Sequence, residues 1–251
     1  MDYPALIEYA LHLADNALIL GHRNSEWTGR GPILEQDIAL SNISLDLIGQ
    51  ARYLYQYAAR LIGSDTTEDE LAYGRDSWDF RNCLLVEQDN GDWGKTVLRQ
   101  FLFSAWQYYF YERMQQGQDR ELAAIAGKSL KEVTYHLRWS SEWVIRLGDG
   151  TEESHARMER ALDQLWQFTG ELFVPANYER ALSAEGVAVD SEQLGPLWRG
   201  RVEEVFGEAQ LSPPDAAWMQ KGGKEGRHTE HLGYLLAEMQ FLQRTYPGCE
   251  W

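Results

Sequence analysis

The chain has 251 residues, a formal net charge of −16, and a composition 44% hydrophobic and 25% charged. That length encloses a sizeable core, and ten Trp with thirteen Tyr exclude a disordered chain. So acidic a protein repels phosphate polymers and anionic lipid, which removes nucleic acid and membrane surfaces from its expected partners.

Helical periodicity places helices near 3–22, 35–62, 95–116, 119–148 and 152–173, then shorter ones near 176–184, 191–209 and 229–245. β-branched alternation is scarce, so the expected fold is all-α. It is read as one domain, 1–251, in which the long helices form an antiparallel bundle and the additional helices follow at the C-terminal end. The first segment, "MDYPALIEYALHLADNA", lacks a basic leader and carries acids through its apolar stretch, unlike a secretory signal. Glu8, His12 and Asp15 lie there opposite Leu6, Leu13, Ala17 and Leu20, on a face expected to be solvated. In the second segment Leu40, Ile43, Leu47, Leu54, Ala58 and Leu61 form one apolar stripe, and Gln50 falls inside it.

Gly63-Ser64 stops that helix, and the link from 63 to 94 is too long for a simple turn. Its aromatics predict order and packing. The third helix contains "VLRQFLFSAWQYYFY", residues 97–111, without one Asp or Glu. The fourth, after Gly117, repeats an apolar stripe through Leu122, Ala126, Val133, Leu137, Val144 and Leu147, with His136 at its border. Gly148-Asp149-Gly150 ends it, and Thr151 is the expected cap of the next helix.

A diiron carboxylate bundle needs one Glu from each of two helices and a Glu-x-x-His pair from each of the other two. Residues three apart share a helix face, so carboxylate and imidazole reach the same metal pair. Here the mid-helix pairs are Leu47 with Gln50 and Val133 with His136, a degenerate set that offers no carboxylate at 47 or 133. Glu152…His155 and Glu225…His228 have the literal spacing, but the first opens a helix and the second straddles Gly226, and both are expected to be solvated. Gln50, Glu132, Tyr135 and His136 are therefore expected to form a metal-free hydrogen-bonded cluster.

No phosphate loop, dinucleotide-binding fingerprint or nucleophile elbow is present. The stretch "KGGKEGRHTEHLG" places Lys221, Lys224 and Arg227 before a helix capped by Thr229. Such a loop can contact an anion such as the phosphates of CoA, or be a charged surface turn. Cys83 and Cys249 are too few for a disulfide framework and have no metal spacing, and no apolar run approaches the ~18 to 20 residues that span a bilayer, so the expected location is the cytoplasm.

The segments "GHRNSEW", "LEQDIALSNISLDLIGQAR", "LLVEQDNGDW", "KEVTYHLRWS" and "GGKEGRHTEHLGYLLAEMQFLQRTYPGCEW" resemble, in this order, the structural-subunit family of the multicomponent phenylacetyl-CoA epoxidases, the monooxygenases of phenylacetate catabolism. The resemblance implies a ferritin-like bundle that pairs with a catalytic subunit, PaaA, which holds the diiron centre, and with the other subunits of the epoxidase. It implies no cofactor in this chain, FAD, an iron-sulfur centre and NADPH at a reductase, no catalytic activity for this chain alone, and a homodimer when the chain is isolated. The alternative from a different class is a self-sufficient diiron oxidase or ferritin-like store. For a scaffold, the partner interface is expected on the link and the carboxy terminus, through Tyr73, Trp78, Phe80, Leu84, Leu85 and Trp93 with Tyr246 and Trp251, because large aromatics concentrate at interface centres.

Overall fold

The computed structural model describes residues 2–63, 65–214 and 218–249, and these form no β-strand. Two antiparallel helix pairs make the bundle. Helix α1 (Tyr3–Ser25) starts where Asp2 accepts the amide of Ala5, with Pro4 in the first turn. It returns as α2 (Leu34–Ile62), whose N-cap, Ile33, has no side-chain cap; Glu35 and Asp37 complement the dipole instead, and Asp37 also accepts the amide of Gly31. Gly63 ends α2 at φ 76°, a left-handed conformation that costs glycine nothing.

The link is structured, as expected. It holds α3 (Glu68–Tyr73), opened by a capping box between Thr67 and Glu70, a 3-10 turn at Ser77–Asp79, and α4 (Leu84–Glu87). It then leads into the second pair, α5 (Trp93–Met114) and α6 (Arg120–Gly148), capped by Asp92 and Asp119. The buried guanidinium of Arg99 on α5 anchors the end of the link by donating to the carbonyl of Gln88 and the side-chain oxygen of Asn90. The expected helix at 152–173 is α7 (Glu152–Leu165) followed by two 3-10 segments, and Thr151 caps it.

Four smaller helices close the ends: α8 (Asn177–Ala184), α9 (Leu194–Glu208), α10 (Glu230–Met239) and α11 (Phe241–Thr245). Helix α9 lies against α5 and α6, where the indole of Trp198 donates to the carbonyl of Leu102. The α10 region is tied both to α1, where Arg23 donates to the carbonyl of His231, and to the link, where Gln240 donates to the carbonyl of Arg75. Aliphatic and aromatic side chains from helices α1 to α10 merge into one core, Leu47 and Val133 among them, whereas α11 buries none.

Candidate functional site

The centre of the bundle is where a metal pair would sit. Leu47, Gln50, Val133 and His136 are all buried there. Gln50 joins three helices: its amide donates to Glu132 at 2.9 Å, and its carbonyl accepts from Gln107 and from the hydroxyl of Tyr111, both at 3.2 Å. His136 Nε2 lies 3.0 Å from Asp46, while its Nδ1 is buried without a partner.

The expected cluster therefore holds in one half and needs correction in the other. Gln50 does meet Glu132, but Asp46 is the partner of His136, and Tyr135 points outward beside Arg138. Sequence reasoning missed Asp46, Gln107 and Tyr111. Their signal is spacing: Asp46 lies four residues before Gln50, and Gln107 four before Tyr111, so each pair shares a helix face.

These residues do not fit a diiron pair. Leu47 and Val133 offer no donor atom, α5 brings glutamine and tyrosine instead of carboxylate, and Asp46 and Glu132 are each bonded to a neighbouring side chain. Among the described residues no group of three or more His, Cys, Asp or Glu is arranged to hold a metal ion.

Other buried carboxylates exist, and each fastens a segment of chain. The face of Glu8, His12 and Asp15, expected to be wet, is instead covered by residues 75–83 of the link. Asp15 is fully buried; it pairs with Arg75 and accepts from the hydroxyl of Tyr55 and the amide of Arg81. Glu8 pairs with the Arg81 guanidinium, and His12 Nδ1 donates to the carbonyl of Arg81 at 2.7 Å. Burial pushes the pKa of His12 down to about 4 against the opposing pull of Glu179, so this imidazole is neutral.

His228, also expected at the surface, is a second correction. Its side chain is enclosed, with Nδ1 2.7 Å from Glu87, which also accepts from the backbone and hydroxyl of Thr229 and from Asn82. Burial alone would lower the pKa of His228, but the Glu87 hydrogen bond and charge outweigh it and hold it above the ordinary value. Thr229 sits at the N-cap of α10 as expected, yet its hydroxyl serves Glu87 and not the helix. Glu152 is exposed, and His155 Nδ1 donates to the carbonyl of Gly148, at the end of α6.

The basic loop divides. Lys224 is inside the protein, its ammonium 3.0 Å from Glu179, and this charge keeps Glu179 ionised although burial opposes it. Glu171 accepts the amides of Leu84 and Gly222, tying the loop to the link. Gly223 passes so close that a Cβ would lie 2.3 Å from the carbonyl oxygen of Asn82. Only Lys221 and Arg227 remain exposed, and Arg227 pairs with Glu225.

The expected interface set divides too. Phe80, Leu84 and Leu85 belong to the protein's own core, a correction that follows from the link lying on α1. Trp93 packs edge-on against Trp27, Trp139 and Trp143 at 5.2 to 6.0 Å. Tyr73 is half-buried, whereas Trp78 and Tyr246 are 73% and 51% exposed, and Trp251 lies outside the described residues.

Comparison with known proteins adds two findings. The profile of the phenylacetic acid catabolic protein family matches residues 1–251. One of the subunits of the 1,2-phenylacetyl-CoA epoxidase of Escherichia coli K12 is 48% identical over 246 residues, covering 98% of this chain and 99% of its own.

Proposed function

The chain belongs to the phenylacetic acid catabolic protein family, and on that premise we propose that it is the structural subunit of a phenylacetyl-CoA epoxidase complex. In this reading it binds and supports the diiron catalytic subunit, PaaA, and performs no chemistry itself. FAD, an iron-sulfur centre and NADPH serve a separate reductase. The observation that carries the proposal is the bundle centre, where Leu47 and Val133 fill the space of carboxylate ligands and Gln50 is hydrogen-bonded to Glu132, Gln107 and Tyr111. These hydrogen bonds tie α2, α5 and α6 together at the centre without a bridging metal ion.

What this chain contributes is therefore shape and rigidity. The link and the end of α11 supply exposed aromatic contacts in Trp78 and Tyr246 for further subunits, and Lys221 and Arg227 are the cations left to meet the phosphates of a bound acyl-CoA. Among the described residues no helix is long and apolar enough to cross a membrane.

The test combines metal analysis with reconstitution. The purified chain is expected to hold no stoichiometric iron and to be inactive, yet to be required for phenylacetyl-CoA epoxidation by the assembled subunits. About two irons per chain, with oxygen consumption by the chain alone, would establish the self-sufficient oxidase instead.

A further inference from the structure

The carboxylate of Glu87 is fully buried where the link meets the C-terminal segment 228–249. It accepts from Asn82 on the link and, from the segment, from His228 and from the amide and hydroxyl of Thr229. Thr229 is the N-cap of α10 but does not cap that helix with its own hydroxyl, so Glu87 supplies the negative charge at the start of α10 from another element.

His228 completes the junction. Its side chain is 4% exposed and both ring nitrogens face acceptors: Nδ1 is 2.7 Å from Glu87, and Nε2 is 3.0 Å from the carbonyl of Phe80. A neutral imidazole has one N–H and cannot donate to both. The arrangement is satisfied only when the pair holds one proton more than a neutral histidine beside an ionised glutamate. His12 shows the contrast, since its Nδ1 faces the carbonyl of Arg81 and its Nε2 the amide of Asn16, one acceptor and one donor.

The surrounding charges favour that extra proton. Burial disfavours the charged ring, but the hydrogen bond and charge of Glu87 overcome it, with help from Asp15 on α1. Arg23, also on α1, donates to the backbone carbonyl of Glu87, and Arg81 on the link shares the carbonyl of Phe80 with His228. On the flanking residues Arg227 is paired with Glu225, Glu230 is exposed, and His231 faces Asp89. Burial pushes His12 and His22 the other way. Beyond the junction the segment is lightly held: α10 buries Leu232, Leu235 and Leu236, α11 has no buried residue, and Tyr234, Phe241 and Leu242 are exposed. Elements with so little buried apolar surface open at low free-energy cost.

We infer that His228 and Glu87 form a proton-operated latch, in which the proton between them holds the segment 228–249 against the link and its loss lets that segment open while the bundle stays folded. Once the proton leaves, one ring nitrogen presents a lone pair to an oxygen at 2.7 or 3.0 Å, an unpaired contact in a dry site. In the open segment the imidazole titrates near the ordinary 6.5, below its value in the closed one. The latch is therefore complete below about 6.5 and is lost as pH rises through the higher folded value. It belongs to this chain alone and does not depend on what the chain assembles with.

The experiment follows amide exchange in the full-length chain from about pH 6 to about 9, corrected for the intrinsic pH dependence of exchange, together with the ring nitrogen resonances of 15N-labelled histidine. At about pH 6 both ring nitrogens of His228 are expected to carry protons. The amides of α10 should be less protected than those of α5 throughout, the mark of local opening, and their protection should fall by up to about tenfold per pH unit above about 6.5 until the proton has left. His228→Gln should abolish that fall, and His231→Gln should keep it. A single protonated ring nitrogen in the parent at about pH 6, α10 protection independent of pH, or α10 amides as protected as those of α5 would each overturn the latch. So would a fall that persists in His228→Gln or disappears in His231→Gln. If His228→Gln does not fold, the parent and His231→Gln decide by the same criteria.

Discussion

Restoring ligand-type residues at the bundle centre, by Leu47→Glu together with Gln50→His, should destabilise the protein and not confer iron binding. Leu47 is fully buried, and losing its side chain from the core removes about 2 to 3 kcal/mol of transfer free energy. The new carboxyl group has no partner at that position, which costs about 1 to 3 kcal/mol even if it takes up a proton. Removing the Gln50 amide leaves Glu132, Gln107 and Tyr111 each short of a hydrogen bond, at about 1 kcal/mol apiece. The sum, on the order of 5 kcal/mol or more, is a large part of a typical folding free energy of ~5 to 15 kcal/mol. For a chain of this size it corresponds to a fall in melting temperature of roughly 10 to 20 °C. Scanning calorimetry in chelator-treated buffer measures it, followed by the same scan after anaerobic addition of ferrous iron. A melting temperature within about 2 °C of the parent without metal would show that the centre is hydrated, and the argument from burial would fail.

Lys224→Met should lower stability by about 3 to 5 kcal/mol, because it leaves the carboxylate of Glu179 buried without its cation; urea denaturation reads this, and adding Glu179→Gln should recover part of the loss. Stability should also fall with acid through His12. Its folded pKa of about 4 lies below the ordinary 6.5, so its contribution is complete above about 6.5, is lost as pH falls toward about 4, and is on the order of 3 kcal/mol. The check is the difference in unfolding free energy between parent and His12→Gln across that window, which should narrow as pH falls; a constant difference would mean that His12 titrates normally. His136→Ala should lower the melting temperature by emptying a buried site, at roughly 1 to 3 kcal/mol, while activity per assembled complex stays near the parent's. Activity lost with stability and assembly intact would instead assign His136 a part in catalysis.

The four long helices were legible in the sequence because each repeats its apolar residues at three- and four-residue steps over twenty or more positions, which few other structures can satisfy. Helices α3 and α4, with six and four residues, are too short to carry such a period. What the link covers was illegible for another reason. Asp15 looks solvated on its own helix, and only Arg75 and the amide of Arg81, some sixty residues away, show that it is enclosed. Lys224 and His228 pose the same difficulty: nothing local separates Lys224 from its exposed neighbours Lys221 and Arg227, and the partner of His228 is 141 residues distant. At the bundle centre, Gln50 and His136 were conspicuous as polar residues within or beside apolar stripes, whereas their partners could be named only in part, since helix rotation decides which neighbour is reached.

The polar groups that remain at the centre have a physical use of their own. Leucine stripes bury area but specify register weakly, because a helix displaced by one turn presents a similar apolar surface. The pairs Asp46–His136, Gln50–Glu132 and Tyr53–Lys128 recur about once per turn along the α2–α6 seam. A slip of one turn would leave Gln50 and His136 buried opposite the wrong partners, and unpaired polar groups in a dry interior are costly. The seam therefore holds α2 and α6 in one alignment without a metal ion bridging them. Asp15, Glu87, Glu171 and Glu179 do the same for the link and the C-terminal elements, each tying segments remote in sequence. A bundle so held loses little conformational freedom when a partner binds, and that preorganisation is what a supporting subunit has to offer to a catalytic one.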